Sequence, residues 1–162
     1  NITYSLDMSD MGSINFDYAA TFLDTGYTIA IPGDDKVECA GAYAGPCGLP
    51  APEYNHRFLA TWVTPYDLTV SATWRHIGET DLYGLTDPQG YLEDSMEERN
   101  YLDLAATYDY SENVQVRFGA NNLLGDDAPV TTSSGTGTGN NNTYPGLFDV
   151  STYLFAGVTV KF

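Results

Sequence analysis

This sequence predicts an all-β chain, an antiparallel sheet that forms part of a transmembrane β-barrel. Apolar residues recur at every second position through seven segments. That period of two marks strands with one greasy and one wet face. The connections between the segments run short, long, short, long, short, long. No apolar run reaches the ~18 residues that a spanning helix needs, whereas a barrel strand needs only ~9–11, half of them polar. A mean hydropathy of −0.25 is therefore no evidence against a membrane protein.

The first segment runs from Ile2 to Met8, with Ile2, Tyr4, Leu6 and Met8 on one face. Ser9-Asp10-Met11-Gly12 is a short turn. The second, Ser13 to about Phe22, puts Ile14, Phe16, Tyr18, Ala20 and Phe22 on one face and Asn15, Asp17, Ala19 and Thr21 on the other. A long irregular stretch from Asp24 to Tyr54 follows, rich in Gly, Pro and Asp. The third strand spans Asn55 to Val63, with Phe58, Ala60 and Trp62 outward. Thr64-Pro65-Tyr66-Asp67 is a tight turn, because Pro presets its first dihedral and Asp favours such corners.

The fourth strand, Leu68 to His76, shows Leu68, Val70, Ala72 and Trp74 outward and Thr69, Ser71, Thr73 and Arg75 inward. A second long loop, Gly78 to Asn100, is acidic. The fifth strand, Tyr101 to Tyr110, carries Leu102, Leu104, Ala106, Tyr108 and Tyr110 on one face and Asp103, Thr107 and Asp109 on the other. Ser111-Glu112-Asn113 turns the chain. The sixth, Val114 to Asn122, presents Val114, Val116, Phe118 and Ala120 outward and Gln115, Arg117 and Asn121 inward. A third long loop covers Leu123 to about Asp149. The seventh strand closes the sequence, with Leu154, Ala156, Val158, Val160 and Phe162 alternating with Gly157, Thr159 and Lys161.

Short turns at one end and long loops at the other are the layout of a barrel with tight periplasmic turns and long extracellular loops. A soluble sandwich also alternates, but does not usually sort its loops by length. The inward set is polar, which suits a wetted lumen. Seven strands are an odd number, and single-chain bacterial barrels have even ones. The chain also starts inside a strand. The expectation is therefore the last part of a larger barrel, with earlier strands preceding Asn1.

Composition narrows the partners. The net charge is −16, from six Lys plus Arg against 22 Asp plus Glu, so no nucleic acid is expected as a partner. The 13 tyrosines suit membrane interfaces, where an apolar ring must also reach water.

Several stretches resemble TonB-dependent outer-membrane receptors. Val116-Arg117-Phe118-Gly119-Ala120-Asn121-Asn122-Leu123-Leu124-Gly125-Asp126, followed by Pro129, is similar to that family's penultimate strand, which ends in an Asn-Leu pair and a Gly or Asp turn. Cys47 to Arg57, Trp62 to Val70 with Trp74-Arg75, and the final Val158 to Phe162 also resemble family members. The resemblance covers nearly the whole chain. It implies a 22-stranded barrel in the outer membrane of a Gram-negative bacterium, of which residues 1–162 supply about the last seven strands. It also implies an N-terminal plug domain, coupling to the TonB system and uptake of a scarce nutrient such as an iron chelate, cobalamin or an oligosaccharide. Plug, TonB box and earlier strands lie outside these residues. Further implied partners are outer-membrane lipid, the remainder of the barrel and the barrel assembly machinery, for which Phe162 would be the handle. A plug-less porin or adhesin barrel, or a soluble carbohydrate-binding module, are the competing readings.

Cys39 and Cys47 lie eight apart in a Gly-rich loop on the extracellular side, where a disulfide is expected. His56 and His76 fall in no metal-ligand spacing and read as interfacial or loop histidines. Glu93, Asp94, Glu97 and Glu98 form an acidic run, joined by Asp34-Asp35 and Asp126-Asp127. Calcium could use such oxygens, but no EF-hand-like spacing appears, and a solvated loop is expected. Asn141-Asn142-Thr143 matches a glycosylation sequon by chance. No catalytic constellation, metal site or cofactor is expected, and the ligand-binding residues are not legible.

Overall fold

The computed structural model describes residues 1–84, 95–131, 143–144 and 146–162. Seven long strands form one sheet: β1 (Ile2–Asp7), β2 (Ser13–Phe22), β6 (Tyr54–Val63), β7 (Leu68–Ile77), β10 (Arg99–Ser111), β11 (Val114–Asn121) and β12 (Tyr153–Val160). They pair in that order, each antiparallel to the next. These are the seven alternating segments, with no bound moved by more than two residues. Ser111 belongs to β10 rather than to the turn, and a bulge between Asp109 and Ser111 accommodates it.

The long connections are not wholly irregular. They hold β3 (Tyr27–Thr28), β4 (Val37–Glu38), β5 (Ala42–Tyr43), β8 (Thr80–Leu82) and β9 (Ser95–Met96). Two or three residues are too few for a period to show, so the sequence pattern does not reveal them. β3 and β4 form a small hairpin, while β5 pairs parallel to β8 and β8 antiparallel to β9. The second pairing stitches the first long loop to the second.

Register converts local alternation into two continuous faces. One row of partners runs Leu6, Ile14, Trp62, Val70, Ala106, Phe118, Ala156 across all seven strands. The next runs Asp7, Ser13, Val63, Thr69, Thr107, Arg117, Gly157. The apolar face is not covered by protein: Phe118 is 51% exposed and Val158 65%. Rings stack along it, Tyr4 on Phe16 and Phe16 on Phe58, with centroids 6.4 and 5.9 Å apart. The sheet is open, with β1 and β12 at its edges.

At the short-turn end, Ser9–Met11 forms a 3-10 turn that closes at Gly12. Gly12 has φ +85°, and a Cβ there would lie 2.0 Å from the Val63 carbonyl oxygen, so only glycine fits. The Trp62 indole N–H donates to the Met11 carbonyl at 2.9 Å and ties the turn to the neighbouring strand.

The buried core lies at the opposite end, among the long loops. Tyr43, Ala44, Met96, Ala128, Tyr144 and Phe148 pack on Ile77 and Tyr101, which stand on the polar face of β7 and β10. The loops thus bring their own hydrophobic core to an otherwise polar surface.

Candidate functional site

The chemistry gathers where β7, β10 and β11 meet the long loops. Arg75 is the centre. Its Nε lies 3.0 Å from Asp103 of β10, and its Nη2 bonds Asp149 at the end of the third long loop. Its guanidinium also stands over the Tyr101 ring, 5.0 Å from the centroid. Partial burial costs a guanidinium hydration, and two carboxylates together with the ring face offset that cost.

Asn122 continues the network. It is fully buried and sits at φ 50°, a left-handed conformation that Asn tolerates. Its backbone N–H donates to Asp103 at 2.8 Å. Its side-chain amide donates to the Asp126 carbonyl and accepts the Asp126 N–H, at 2.8 and 3.1 Å. The Thr152 hydroxyl donates to the Asn122 carbonyl at 2.7 Å. One residue therefore ends β11, shapes the start of the third loop and fastens the loop's return. This gives a physical role to the Asn-Leu pair noted in the sequence. From Asp126 the chain of bonds runs outward: its carboxylate accepts the Asn100 N–H at 3.0 Å, and the Asn100 side-chain oxygen accepts the Trp74 indole N–H at 3.0 Å.

Cys39 and Cys47 are bonded, with sulfurs 2.00 Å apart, as their spacing led us to expect. The closed loop contains β5, the strand that pairs with β8. The Glu38 carboxylate caps the same loop by accepting the backbone N–H groups of Gly26, Cys39 and Ala40 at 2.6, 3.1 and 3.1 Å. Those donors, Gly26 foremost, hold its carboxyl below the usual carboxylate range. Reducing the disulfide is expected to cost about 2–3 kcal/mol, the entropy of closing a loop this short. Urea titrations with and without reductant, read on the loops by hydrogen exchange, check this; an unchanged midpoint refutes it.

His56 and His76 oppose each other across β6 and β7, and their rings stack with centroids 5.1 Å apart. The Trp74 ring meets His56 edge to face at 4.6 Å, and Tyr54 and Tyr18 flank the pair. Twenty residues of sequence separation hid this pairing, which only the hairpin register creates. The group lies on the apolar face near the long-loop end, where Trp, Tyr and His rings suit a boundary between an apolar and a wet phase. Above it a cleft of about 670 Å³ separates the first two long loops, lined by Glu53, Glu79, Asp81, Glu97 and Glu98 beside His76. Its field attracts cations and repels anions.

Glu93, Asp94, Asn141 and Asn142 lie outside the described residues. Phe162 is fully exposed beyond β12, and the preceding Lys161 N–H still donates to the Asn113 carbonyl at 2.9 Å. Sequence reasoning did not single out Asp149 or Tyr101. A loop carboxylate and one more strand tyrosine carry no periodic signal, so only the three-dimensional arrangement exposes their roles.

No protein-family model matches the chain, and neither does any curated protein sequence. Solved structures do. Three crystal structures of the ferric enterobactin receptor PfeA of Pseudomonas aeruginosa align with it: the G324V mutant (TM-score 0.63, 16% identity), and the Q482A (0.62, 16%) and R480A (0.62, 17%) mutants in complex with enterobactin. Each alignment covers 99% of this chain but only 21–22% of the receptor, so the chain spans about a fifth of those molecules. The fold is that of a segment of such an outer-membrane receptor β-barrel, unclosed over these residues.

Proposed function

We propose that this chain is a wall segment of a TonB-dependent outer-membrane receptor that imports a scarce nutrient, without enzymatic activity of its own. One observation carries the reading. A face seven strands wide is apolar and bare of protein, while its reverse is polar. Soluble monomers rarely expose contiguous apolar patches beyond a few hundred Å². Lipid covers such a face at no cost, and a lumen wets the other. The long loops, knitted by β5–β8–β9, the disulfide and the Arg75 network, then form a stiff rim at the outer mouth. The likeness to PfeA supports the fold of such a wall. A plug domain, the remaining strands and the TonB system would complete the transporter.

The test is uptake by cells expressing the full-length protein, with and without TonB. Import of an iron chelate, cobalamin or an oligosaccharide that stops when TonB is deleted supports the reading. Purification as a soluble monomer without detergent sinks it, and TonB-independent passage of small solutes replaces it with a plug-less porin.

Within this reading Phe162 serves assembly. The last strand must wait for a partner strand remote in sequence, and its alternating face ending in an aromatic offers the assembly machinery a handle. Deleting Phe162 is expected to lower the amount of barrel in the membrane several-fold while leaving ligand affinity per molecule nearly unchanged. Normal membrane levels with lost binding refute that role.

A further inference from the structure

The first long loop divides at Cys39. After it, Tyr43 and Ala44 are buried in the core that covers the polar face. Before it, the β3–β4 hairpin joins no core among the described residues. Tyr27, Ile29 and Ile31 are exposed there, Ile31 to 64%. None of the three borders the acidic cleft between the loops. Three large apolar side chains within five residues are unfavourable in water and mark a surface that something covers.

Position says what covers it. β2 carries its apolar face out to Phe22, which is 77% exposed and whose ring lies 4.8 Å from that of Tyr54 on β6. The ladder runs one rung further, where the Leu23 N–H donates to the Glu53 carbonyl at 2.8 Å. Tyr27 follows four residues on. The hairpin is therefore continuous, through Phe22, with the apolar wall. On its other side it packs on the 3-10 turn Gly45–Cys47, which the disulfide holds. That packing leaves the exposed side chains clear of the loop core.

Charge agrees with position. Lys36 is the only Lys or Arg in the first long loop. Its ammonium stands over the Tyr27 ring, 4.3 Å from the centroid, and makes no ion pair among the described residues. An unpaired cation and a tyrosine ring at the edge of an apolar cluster match the headgroup level of a bilayer, with acyl chains on one side and phosphate on the other.

We propose that the β3–β4 hairpin docks on the outer leaflet beside the barrel, with Ile29 and Ile31 among the upper acyl chains, Tyr27 at the boundary and Lys36 on an anionic lipid headgroup. The inference rests on the receptor reading, which supplies the lipid. Such a contact braces the disulfide-closed loop, and the β5 strand within it, from outside the barrel.

The experiment uses the full-length protein in lipid vesicles, carrying bimane on one added cysteine. Intact mass without reductant verifies that Cys39–Cys47 stays closed. Ile31→Cys is compared with Phe118→Cys on the apolar wall and Glu79→Cys in the acidic cleft. Nitroxide-bearing lipid should quench the label at position 31 about threefold more than that at position 79, and aqueous iodide should do the reverse. Adding phosphatidylglycerol to phosphatidylcholine vesicles should raise lipid quenching at position 31 about twofold, and Lys36→Glu should abolish that rise. Iodide quenching at position 31 equal to that at position 79 overturns the proposal, because the hairpin then stands in water. Protection from both quenchers also overturns it and assigns the apolar cluster to a contact with another part of the protein. Lipid quenching that ignores both headgroup charge and Lys36→Glu overturns the role given to Lys36. The label at position 118 scores the reading beneath: if it too escapes lipid quenching, the receptor reading falls. If position 118 is quenched and position 31 is not, only the hairpin proposal falls.

Discussion

Replacing Tyr101 with alanine is expected to destabilise the loop rim by about 3–5 kcal/mol, the range for removing a large ring from a packed site. Tyr101 is wholly buried. It stands on the polar face of β10, beneath Tyr43, Met96, Phe148 and Ala128 of the loops. Its loss opens a cavity under all three long loops and removes the ring face from Arg75. The strand ladder is not built on that core, since the apolar face of the sheet packs on no protein. The damage should therefore be local: hydrogen exchange should accelerate in β5, β8, β9 and around Phe148, while the centres of β7, β10 and β11 stay protected. Tyr101→Phe keeps the ring and should cost little or even stabilise, because the buried Tyr101 hydroxyl finds no hydrogen-bond partner among the described residues. Native-like exchange in the loops of Tyr101→Ala would show that the core is not what holds the rim.

Leu104→Arg should cost about 2–4 kcal/mol, the value for a cation on a barrel's lipid face near the bilayer midplane, whereas Val158→Arg should cost only about 0–1. Both side chains lie on the apolar face. The sequence alone puts both on the barrel exterior without separating their depths, and the register separates them. Leu104 pairs with Ala72 and Ala120 in the middle of β7 and near the far end of β11. Val158 pairs with Val116, two residues from the short-turn end of β12. Near that end an arginine can reach headgroups and water. Urea titration of the protein folded into lipid vesicles measures both. Equal penalties would mean that the register does not set depth, and no penalty at either position would remove lipid from the apolar face.

How much of this was written in the chain differs element by element. Alternation is a local property, so a window of ten residues suffices to find β7 or β11 and to sort Val70 from Thr69. Turn chemistry is local too: Thr64-Pro65-Tyr66-Asp67 announces its corner, with Asp67 at φ 57° as such a residue allows. Cys39 and Cys47 are close enough in sequence for their bond to follow from spacing and location. The site was hidden because its contacts are not local. Arg75 and Asp149 are 74 residues apart, and nothing in either neighbourhood signals the other. Arg57 facing Arg75, and His56 stacking on His76, exist only because one hairpin register was selected from several that preserve the faces. The strands β5 and β8, of two and three residues, have no period to read and form because packing of Tyr43 and Met96 brings their backbones within reach. Strands, faces and loop classes thus follow from short-range sterics and apolar patterning. Which charges meet follows from strand register and loop packing, which sum free energies over the whole sheet.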